Sequence, residues 1–362
     1  MGIQRRRVAG ILAAAAVLAC GLLAAPWTPR LSPDVSGDTA LAEAVRPLLK
    51  NPADRVSVVY LEGGEARFAG FGADEQTEFE IGSISKTFTA ALLADAVDRG
   101  ELTLETTVAD IMGPDLADPD AEIGTVTLAE LASHRSGLPR LAPDPASMVS
   151  ALLGTYLHRD PYTASPAEIL ERAQSAPVGG RGSVDYSNLG YAFLGQLLAK
   201  AAGTSYAELL QQRILGPLDM TDTYAPVTVD NLRPGAPAGR SAAGLGQAAW
   251  TANGTAPAGG IRSTAADMAT YAQALLDGTA PGAKALNPQW DSGDDGERVG
   301  LAWFTQAPSE PPARAATWHN GQTGGFAAMA ALDRGAGRAA LIFSNVSSGQ
   351  EEAALTLLKE GL

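Results

Sequence analysis

Residues 79–89 read Phe-Glu-Ile-Gly-Ser-Ile-Ser-Lys-Thr-Phe-Thr and lead into the strongest helix that the sequence predicts, from Ser83 to Arg99. Apolar residues lie nearly all round this helix, so we expect it to be buried, and Gly100 is its stop signal. A buried lysine is costly without a partner or a purpose. Lys86 therefore marks a candidate functional site, with a structural ion pair as the alternative.

The spacing of Ser83 and Lys86, three residues apart, puts both side chains on one face of a helix. A serine hydroxyl is a poor nucleophile until a neighbour removes its proton. A lysine in a low-dielectric pocket has a depressed pKa and can take part in that step. This spacing alone is weak evidence for a catalytic pair. The chain has five lysines, and a serine can stand three residues before one of them by chance.

A second segment, residues 185–191 (Asp-Tyr-Ser-Asn-Leu-Gly-Tyr), stands just before another predicted helix. Tyr186 can act as an acid or base if nearby positive charge lowers its pKa. Asn188 can donate a hydrogen bond to a substrate carbonyl. The alternative is a helix N-cap at Ser187 or Asn188 beside a packed aromatic ring.

A third segment, residues 318–326 (Trp-His-Asn-Gly-Gln-Thr-Gly-Gly-Phe), lies between two predicted strands. Its glycines let a backbone or a ligand come close, and a backbone N–H there can form half of an oxyanion hole. The alternative is a glycine-rich hairpin turn capped by His319.

Predicted strands cluster at the two ends of the chain. Two form a hairpin at 55–61 and 66–71, and four others lie at 299–304, 315–319, 326–332 and 338–343. The simplest arrangement is a mixed α/β (α+β) fold, with one mostly antiparallel sheet built from both chain ends and flanked by the terminal helices. The helical segment from about 105 to 270 is then an inserted subdomain, and residues 224–260 form a long functional or mobile loop.

Composition excludes several classes of function. The net charge of −14 disfavours nucleic-acid binding, which needs clustered lysine and arginine. Cys20 is the single cysteine, and the three histidines stand at 134, 158 and 319. A disulfide, a cysteine metal site and a multi-histidine zinc site are therefore not expected in the body of the protein, and we expect neither a metal nor a cofactor.

The first 30 residues read as an export signal or a membrane anchor. Three arginines at 5–7 precede an uncharged apolar stretch, 8–28, long enough to span a bilayer. Lipidation at Cys20 is a further alternative. On any of these readings, residues 31–362 form a single domain outside the cytoplasm.

In this order and at these separations, the three segments resemble the serine β-lactamase and penicillin-binding protein family. The likeness is to the branch with a Tyr-x-Asn second motif, which includes class C β-lactamases, DD-peptidases and related esterases. Residues 131–139, 216–222 and 258–268 resemble the same family. The resemblance runs from about Leu41 to the chain end and implies a β-lactamase/transpeptidase-like fold with an inserted all-helical subdomain.

The resemblance also implies roles. Ser83 is the acylated nucleophile, Lys86 and Tyr186 are the proton-transfer pair, and Asn188 binds the amide of the acyl side chain. The backbone N–H groups of Ser83 and Gln322 form the oxyanion hole.

One motif departs from the class C pattern. His319, Asn320 and Gly321 stand where class C β-lactamases have Lys-Thr-Gly, and we expect them to line the substrate site with Gln322. The family's lysine holds positive charge near the substrate carboxylate, and a neutral histidine supplies less. Some DD-peptidases and D-aminopeptidases of the family also carry histidine at this position.

The resulting expectation is a monomeric, extracytoplasmic serine acyl hydrolase of D-alanyl-D-alanine carboxypeptidase or esterase type. Its substrate is a peptidoglycan peptide or a small molecule. The alternatives are a β-lactamase and a non-catalytic penicillin-binding or cell-wall sensor module. We interpret His134 as structural and His158 as a surface residue.

Overall fold

The computed structural model describes residues 28–145, 149–150, 154, 157–308 and 314–362. Residues 1–27 of the predicted signal or anchor, including Cys20, lie outside the described residues. Within the described ranges, no helix combines the length and the apolar character needed to cross a bilayer.

A nine-stranded sheet organises the described part of the chain, in the order β1-β3-β2-β13-β12-β11-β10-β9-β8. Every neighbouring pair in it is antiparallel. The strands are β1 Val35–Gly37, β2 Val56–Glu62, β3 Glu65–Phe71, β4 Glu78–Glu80, β5 Gly239–Ser241, β6 Gly246–Gln247, β7 Arg262–Thr264, β8 Trp290–Asp291, β9 Glu297–Val299, β10 Phe304–Gln306, β11 Ala316–Gln322, β12 Ala327–Asp333, β13 Arg338–Ser344 and β14 Val346–Ser347. The expected antiparallel sheet built from both chain ends is confirmed.

Helices cover both faces of this sheet. We number those with described bounds α1 Thr39–Val45, α2 Ser85–Asp98, α3 Val108–Met112, α4 Leu128–Ala132, α5 Pro166–Ser175, α6 Asn188–Ala202, α7 Tyr206–Leu210, α8 Ala256–Gly259, α9 Ala265–Leu276 and α10 Glu351–Glu360. A 3₁₀ turn, Gly82–Ile84, precedes α2, and a π-helical turn, Gln211–Leu215, follows α7.

Alternate residues of the central strands enter two separate cores. Val58 and Ile342 pack in the smaller core with α1 and α10, whereas Val59 and Leu341 pack in the larger core with α2 and the other helices. Because both faces are covered, these strands read as continuous apolar runs.

The middle of the chain is mostly helical, and it also carries short strands that the sequence did not predict. Strand β4 pairs with β7, and β5 pairs with β6 and β14. Strands β5 and β6 and helix α8 lie within the predicted loop 224–260. Strand β1, which the sequence also did not predict, pairs with β3 at one edge of the large sheet.

The predicted strand 299–304 is wrong. Val299 ends β9 and Phe304 begins β10, and the two residues face each other across an antiparallel pair. The connection between them is apolar because it is buried: Leu301, Ala302 and Trp303 are each at most 2% exposed. An apolar run was therefore mistaken for an extended strand.

Candidate active site

The turn that precedes α2 lies directly against strand β11. Gly82 has a φ of +51°, and a Cβ placed on it would come within 2.6 Å of the backbone nitrogen of Gln322. A residue with a side chain would therefore be strained and would push the turn away from the strand. Glycine at this position keeps Ser83 beside Gln322, where the two N–H groups of the expected oxyanion hole are required.

Three oxygen atoms surround the amine of Lys86. Nζ lies 3.0 Å from Oγ of Ser83, 2.8 Å from Oδ1 of Asn188 and 2.6 Å from the carbonyl oxygen of Ala258. Lys86 is fully buried, whereas Ser83 is partly exposed. Two of the predicted segments and α8 thus converge on one amine.

The surroundings of Lys86 favour a neutral amine. Burial, and secondarily the positive charge of Arg140, hold the pKa of Lys86 well below its usual value. Among the described residues, no carboxylate lies within ion-pair distance of it. The alternative of a structural ion pair therefore has no support in the described part of the chain.

A neutral amine also fits the hydrogen bonds. Its two N–H groups match the two oxygens that can only accept, on Asn188 and Ala258. The remaining lone pair then faces the hydroxyl of Ser83. Lys86 is thus arranged to accept the Ser83 proton.

Tyr186 is close to both Ser83 and Lys86. Its ring centroid is 4.9 Å from Nζ of Lys86, and its side chain hydrogen-bonds Ser83. Burial raises the pKa of Tyr186 to about 12, although the bond to Ser83 and the charge of Arg140 act in the opposite direction. The lowered pKa that we considered for Tyr186 is therefore not found, and at neutral pH the phenol keeps its proton and acts as a donor.

Asn188 is the first residue of α6. Ser187 caps this helix, since its side chain accepts a hydrogen bond from the backbone N–H of Gly190. The cap that we weighed as an alternative is therefore real, and it positions Asn188 rather than replacing its role. Because Lys86 occupies Oδ1 of Asn188, the NH₂ group is the part left for a substrate carbonyl.

His319 supplies no positive charge to the site. It is buried on β11, and its Nδ1 lies 2.6 Å from the carbonyl oxygen of Asn320, which assigns the ring proton to Nδ1. Burial is the largest cause that lowers the pKa of His319, to about 3. The imidazole is therefore neutral at any pH near 7.

The side chains of Asn320 and Gln322 are held by the end of the chain. Asn320 Nδ2 donates to Glu351 at 2.9 Å, and Gln322 Nε2 donates to the hydroxyl of Ser347 at 2.9 Å. Both residues still line the cavity beside Ser83. The Asn320 bond brings the Glu351 carboxylate close to the strand where the class C pattern has positive charge.

His134 lies beneath Tyr186, nearer the chemistry than we expected for a structural residue. Its ring centroid is 4.3 Å from that of Tyr186, and its Nδ1 accepts the backbone N–H of Ser187 at 3.1 Å. Its φ of +60° is unusual for a residue with a side chain. His134 thus orients the second segment from below.

Two participants were missed from the sequence. Arg140 lies over the Tyr186 ring at 5.2 Å, and the carbonyl of Ala258 holds Lys86. Arg140 stands next to residues 131–139 and Ala258 begins residues 258–268, two stretches that resemble the family, and that position was the available signal.

His158 is half-buried rather than a surface residue, and its Nδ1 lies 2.7 Å from Nε2 of Gln247.

Behind the site, a buried ion pair holds the strand that leads to Ser83. Arg262 on β7 contacts both Glu78 and Glu80 on β4, and the Arg262 and Glu80 side chains are each 3% exposed. Glu80 Oε1 also accepts the backbone N–H of Trp250 at 2.9 Å. Burial raises the pKa of Glu80, while Arg262 acts against that rise.

A cavity of about 670 Å³ opens beside Ser83, a size typical of small-molecule sites. Tyr186, Asn188, Asn320 and Gln322 are among its lining residues. Among the described residues, no group of three or more histidine, cysteine, aspartate or glutamate side chains is placed to hold a metal ion.

Comparisons with known proteins agree with this geometry. The sequence model of the family described as Beta-lactamase matches residues 41–360. The chain is similar to a beta-lactamase of Escherichia coli K12, with 31% identity over 240 residues, 63% of this chain and 57% of that protein. It is also similar to the D-alanyl-D-alanine-carboxypeptidase/endopeptidase AmpH of the same organism, with 26% identity over 68% of this chain and 64% of that protein. The chain thus spans less than two thirds of either relative.

The fold is also that of a solved structure. A class C beta lactamase from Rhodobacter sphaeroides superposes with a TM-score of 0.72 at 22% sequence identity. The match covers 89% of this chain and 98% of the other. At that identity, the likeness concerns the fold alone.

Proposed function

The chain belongs to the beta-lactamase family. We propose that it is a serine hydrolase of the β-lactamase/DD-peptidase group and that it works through an acyl-enzyme on Ser83. The observation that carries the proposal is the Lys86 amine, 3.0 Å from the Ser83 hydroxyl with no carboxylate at ion-pair distance in the described part of the chain. Burial holds the pKa of this amine well below its usual value, so the amine is ready to take the proton of the nucleophile.

In the acylation step, Ser83 Oγ forms a bond to the substrate carbonyl carbon while its proton passes to Nζ of Lys86. The negative charge on the carbonyl oxygen is stabilised by the backbone N–H groups of Ser83 and Gln322. Tyr186, whose phenol is protonated at neutral pH, donates a proton to the leaving oxygen or nitrogen as the carbon bond to it breaks. Lys86 then passes the proton that it took from Ser83 to the Tyr186 phenolate, which restores both groups.

Deacylation uses the same groups in reverse. Water attacks the ester carbon and gives one proton to Lys86, and as the bond to Oγ breaks that proton passes to Oγ, which leaves the acid and free Ser83. The Asn188 NH₂ group holds the acyl part through a carbonyl oxygen where the substrate has one.

For the substrate, we propose a D-alanyl peptide, as in a carboxypeptidase, or an ester, in preference to a β-lactam. Neutral His319 supplies no positive charge for a substrate carboxylate on β11, and this favours the ester most, because a β-lactam and a C-terminal D-alanine both carry such a carboxylate. A β-lactamase stays the second candidate because of the similarity to the Escherichia coli beta-lactamase. We also propose a location outside the cytoplasm, which rests on the sequence of residues 1–30.

The test is active-site labelling combined with a substrate panel. Purified protein and Ser83→Ala are incubated with a fluorescent fluorophosphonate and a fluorescent penicillin, and then assayed on p-nitrophenyl esters, D-Ala-D-Ala peptides and nitrocefin. We expect labelling and hydrolysis that both disappear in Ser83→Ala. Labelling that survives the substitution would remove Ser83 from its role.

The panel also separates the alternatives. Turnover of nitrocefin faster than of esters and peptides would establish the β-lactamase. Stoichiometric labelling of Ser83 with no turnover of any substrate would instead support a penicillin-binding or sensor module.

A further inference from the structure

The cavity beside Ser83 has a wall built from several separate segments. Buried apolar residues reach it from the chain after Arg140, from the chain before α5, and from α5 and α6 themselves: Ala142, Ala164, Ile169, Leu189 and Ala192. Three of the five are alanines, and their small side chains leave the space that larger residues would fill. Tyr162 and Trp250, packed edge to face at 4.8 Å, also line the cavity.

The charges around this wall are balanced or exposed. Among the described residues, no carboxylate lines the cavity. Arg172 lines it, but its guanidinium contacts Glu168 and Asp144. Arg140 is solvent-exposed and lies over the Tyr186 ring at the entrance. A charged group on the wall would therefore lose its hydration without gaining a buried partner.

The role proposed for Asn188, which is to hold the acyl part of the substrate, indicates which half of the substrate meets this wall. Asn188, which holds Lys86, is followed on the same helix by Leu189 and Ala192, and all three line the cavity. Strand β11 contributes Asn320 and Gln322 to the lining of the same cavity. The wall thus extends from the residue that faces the acyl part of an ester on Ser83.

We propose that this wall is an acyl-binding pocket that selects esters or amides with a bulky, uncharged, apolar acyl group. The inference rests on the proposed acyl-enzyme at Ser83 and narrows its substrate class. Ser83 Oγ bonds the acyl carbon, and the alcohol or amine leaves with a proton. The acyl chain meanwhile lies against the alanines and leucine of the pocket.

The experiment measures kcat/KM for p-nitrophenyl esters of increasing chain length, from acetate to decanoate, with the full chain. Each methylene that enters the pocket is expected to raise kcat/KM by about fourfold until the pocket is full. Ala192→Leu is expected to lower the octanoate-to-acetate ratio of kcat/KM by about tenfold, since it fills the pocket.

Ala199→Leu is the matched control. Ala199 lies two turns further along α6 and is similarly buried, but it does not line the cavity. It should leave the ratio unchanged. Ile169→Ala, which enlarges the pocket, is expected to move the optimum to longer chains, so the idea stays testable if Ala192→Leu fails to fold.

A value of kcat/KM that stays the same from acetate to decanoate would overturn the acyl pocket. So would an octanoate-to-acetate ratio that Ala199→Leu lowers as much as Ala192→Leu does. With fluorophosphonate labelling of Ser83 intact, the proposed function would still stand. Efficient cleavage of D-Ala-D-Ala peptides with such a flat series would assign the cavity to polar peptides instead. Absence of both labelling and ester hydrolysis would contradict the proposed acyl-enzyme at Ser83 and the acyl-binding pocket together.

Discussion

Gly321 and Ile81 are in such close contact that a Cβ on Gly321 would lie 1.9 Å from the Ile81 carbonyl oxygen. The obstacle is backbone on both sides, so no side-chain rotation can relieve it. This contact, together with that of Gly82 on Gln322, sets how far the nucleophile stands from the strand that faces it.

Gly321→Ala should therefore separate β11 from the turn before α2. We expect a loss of about 1–3 kcal/mol of stability from overpacking and a fall in kcat of about 10²–10³-fold, as when an oxyanion donor is lost. Thermal melts and ester hydrolysis measure the two effects. The control is Gly179→Ala, where an added Cβ meets nothing within 4 Å. Full activity in Gly321→Ala would contradict the tight contact.

Tyr186→Phe should reveal which proton the phenol moves. The ring packing on His134 and Lys86 is kept, while the hydroxyl is lost. For amides and alkyl esters we expect a fall in kcat of about 10²–10⁴-fold. The fall should be much smaller for p-nitrophenyl esters, whose leaving group needs no proton. Equal losses on both kinds of substrate would mean that Tyr186 activates Ser83 instead.

His319→Gln should leave the pH at which activity is half lost unchanged. The pKa of His319 is about 3, so the ring is already neutral across the working range. The acid limb of kcat/KM is expected to report protonation of Lys86, whose lowered pKa results mainly from burial. A pH–rate profile of the variant beside the wild type decides this, and a displaced acid limb would assign that limb to His319.

The stability of Lys86→Met should diverge from that of the wild type with pH. In the unfolded chain, the Lys86 amine is protonated at every pH below about 10.4. In the folded chain, it is protonated only below its lowered pKa. Between these values, wild-type stability rises with pH, by up to about 1.4 kcal/mol per pH unit. The variant lacks this rise. Urea titrations from pH 7 to 10 measure the free energy of unfolding of both proteins, and Lys359→Met, at an exposed lysine, is the control. If the free energies of unfolding of the wild type and of Lys86→Met change with pH in parallel, Lys86 is not neutral in the folded protein.

Arg262→Ala should be among the most damaging substitutions outside the cavity. It leaves Glu80 and Glu78 buried without their cation, which costs about 3–5 kcal/mol in comparable pairs. Lys50→Ala breaks an ion pair of which both side chains are at least 67% exposed, and should leave the unfolding midpoint unchanged. Similar melts for the two variants would show that the buried pair adds nothing.

Much of the site could be predicted from the chain because its parts are local. Ser83 and Lys86 share one helical turn, and Asn188 follows a capping serine, so short-range geometry is sufficient. The pKa of Tyr186 could not be predicted, since it depends on burial by distant segments, which outweighs Arg140. The same holds for the Ala258 carbonyl, which comes to Lys86 from 172 residues away.

The fold could be predicted from the sequence to about the same extent as the site. Runs of apolar residues identified β2, β12 and β13, because those strands are buried on both faces, whereas the exposed half of β3 was identified from the hairpin that it forms with β2. Strands of two or three residues, such as β5 and β6, carry too few side chains for a periodic pattern. The buried connection between β9 and β10 shows that an apolar run reports burial and not strand geometry.

The pairing of β2 with β13 has a consequence for how the protein is made. Val56 faces Ser344, and Glu62 faces Arg338, so the middle of the sheet joins residues from opposite ends of the chain. Such long-range contacts form slowly, and these cannot form until nearly all of the polypeptide has left the ribosome. Until then β2 has only β3 as a neighbour, so the large sheet cannot be completed while the chain is still being made.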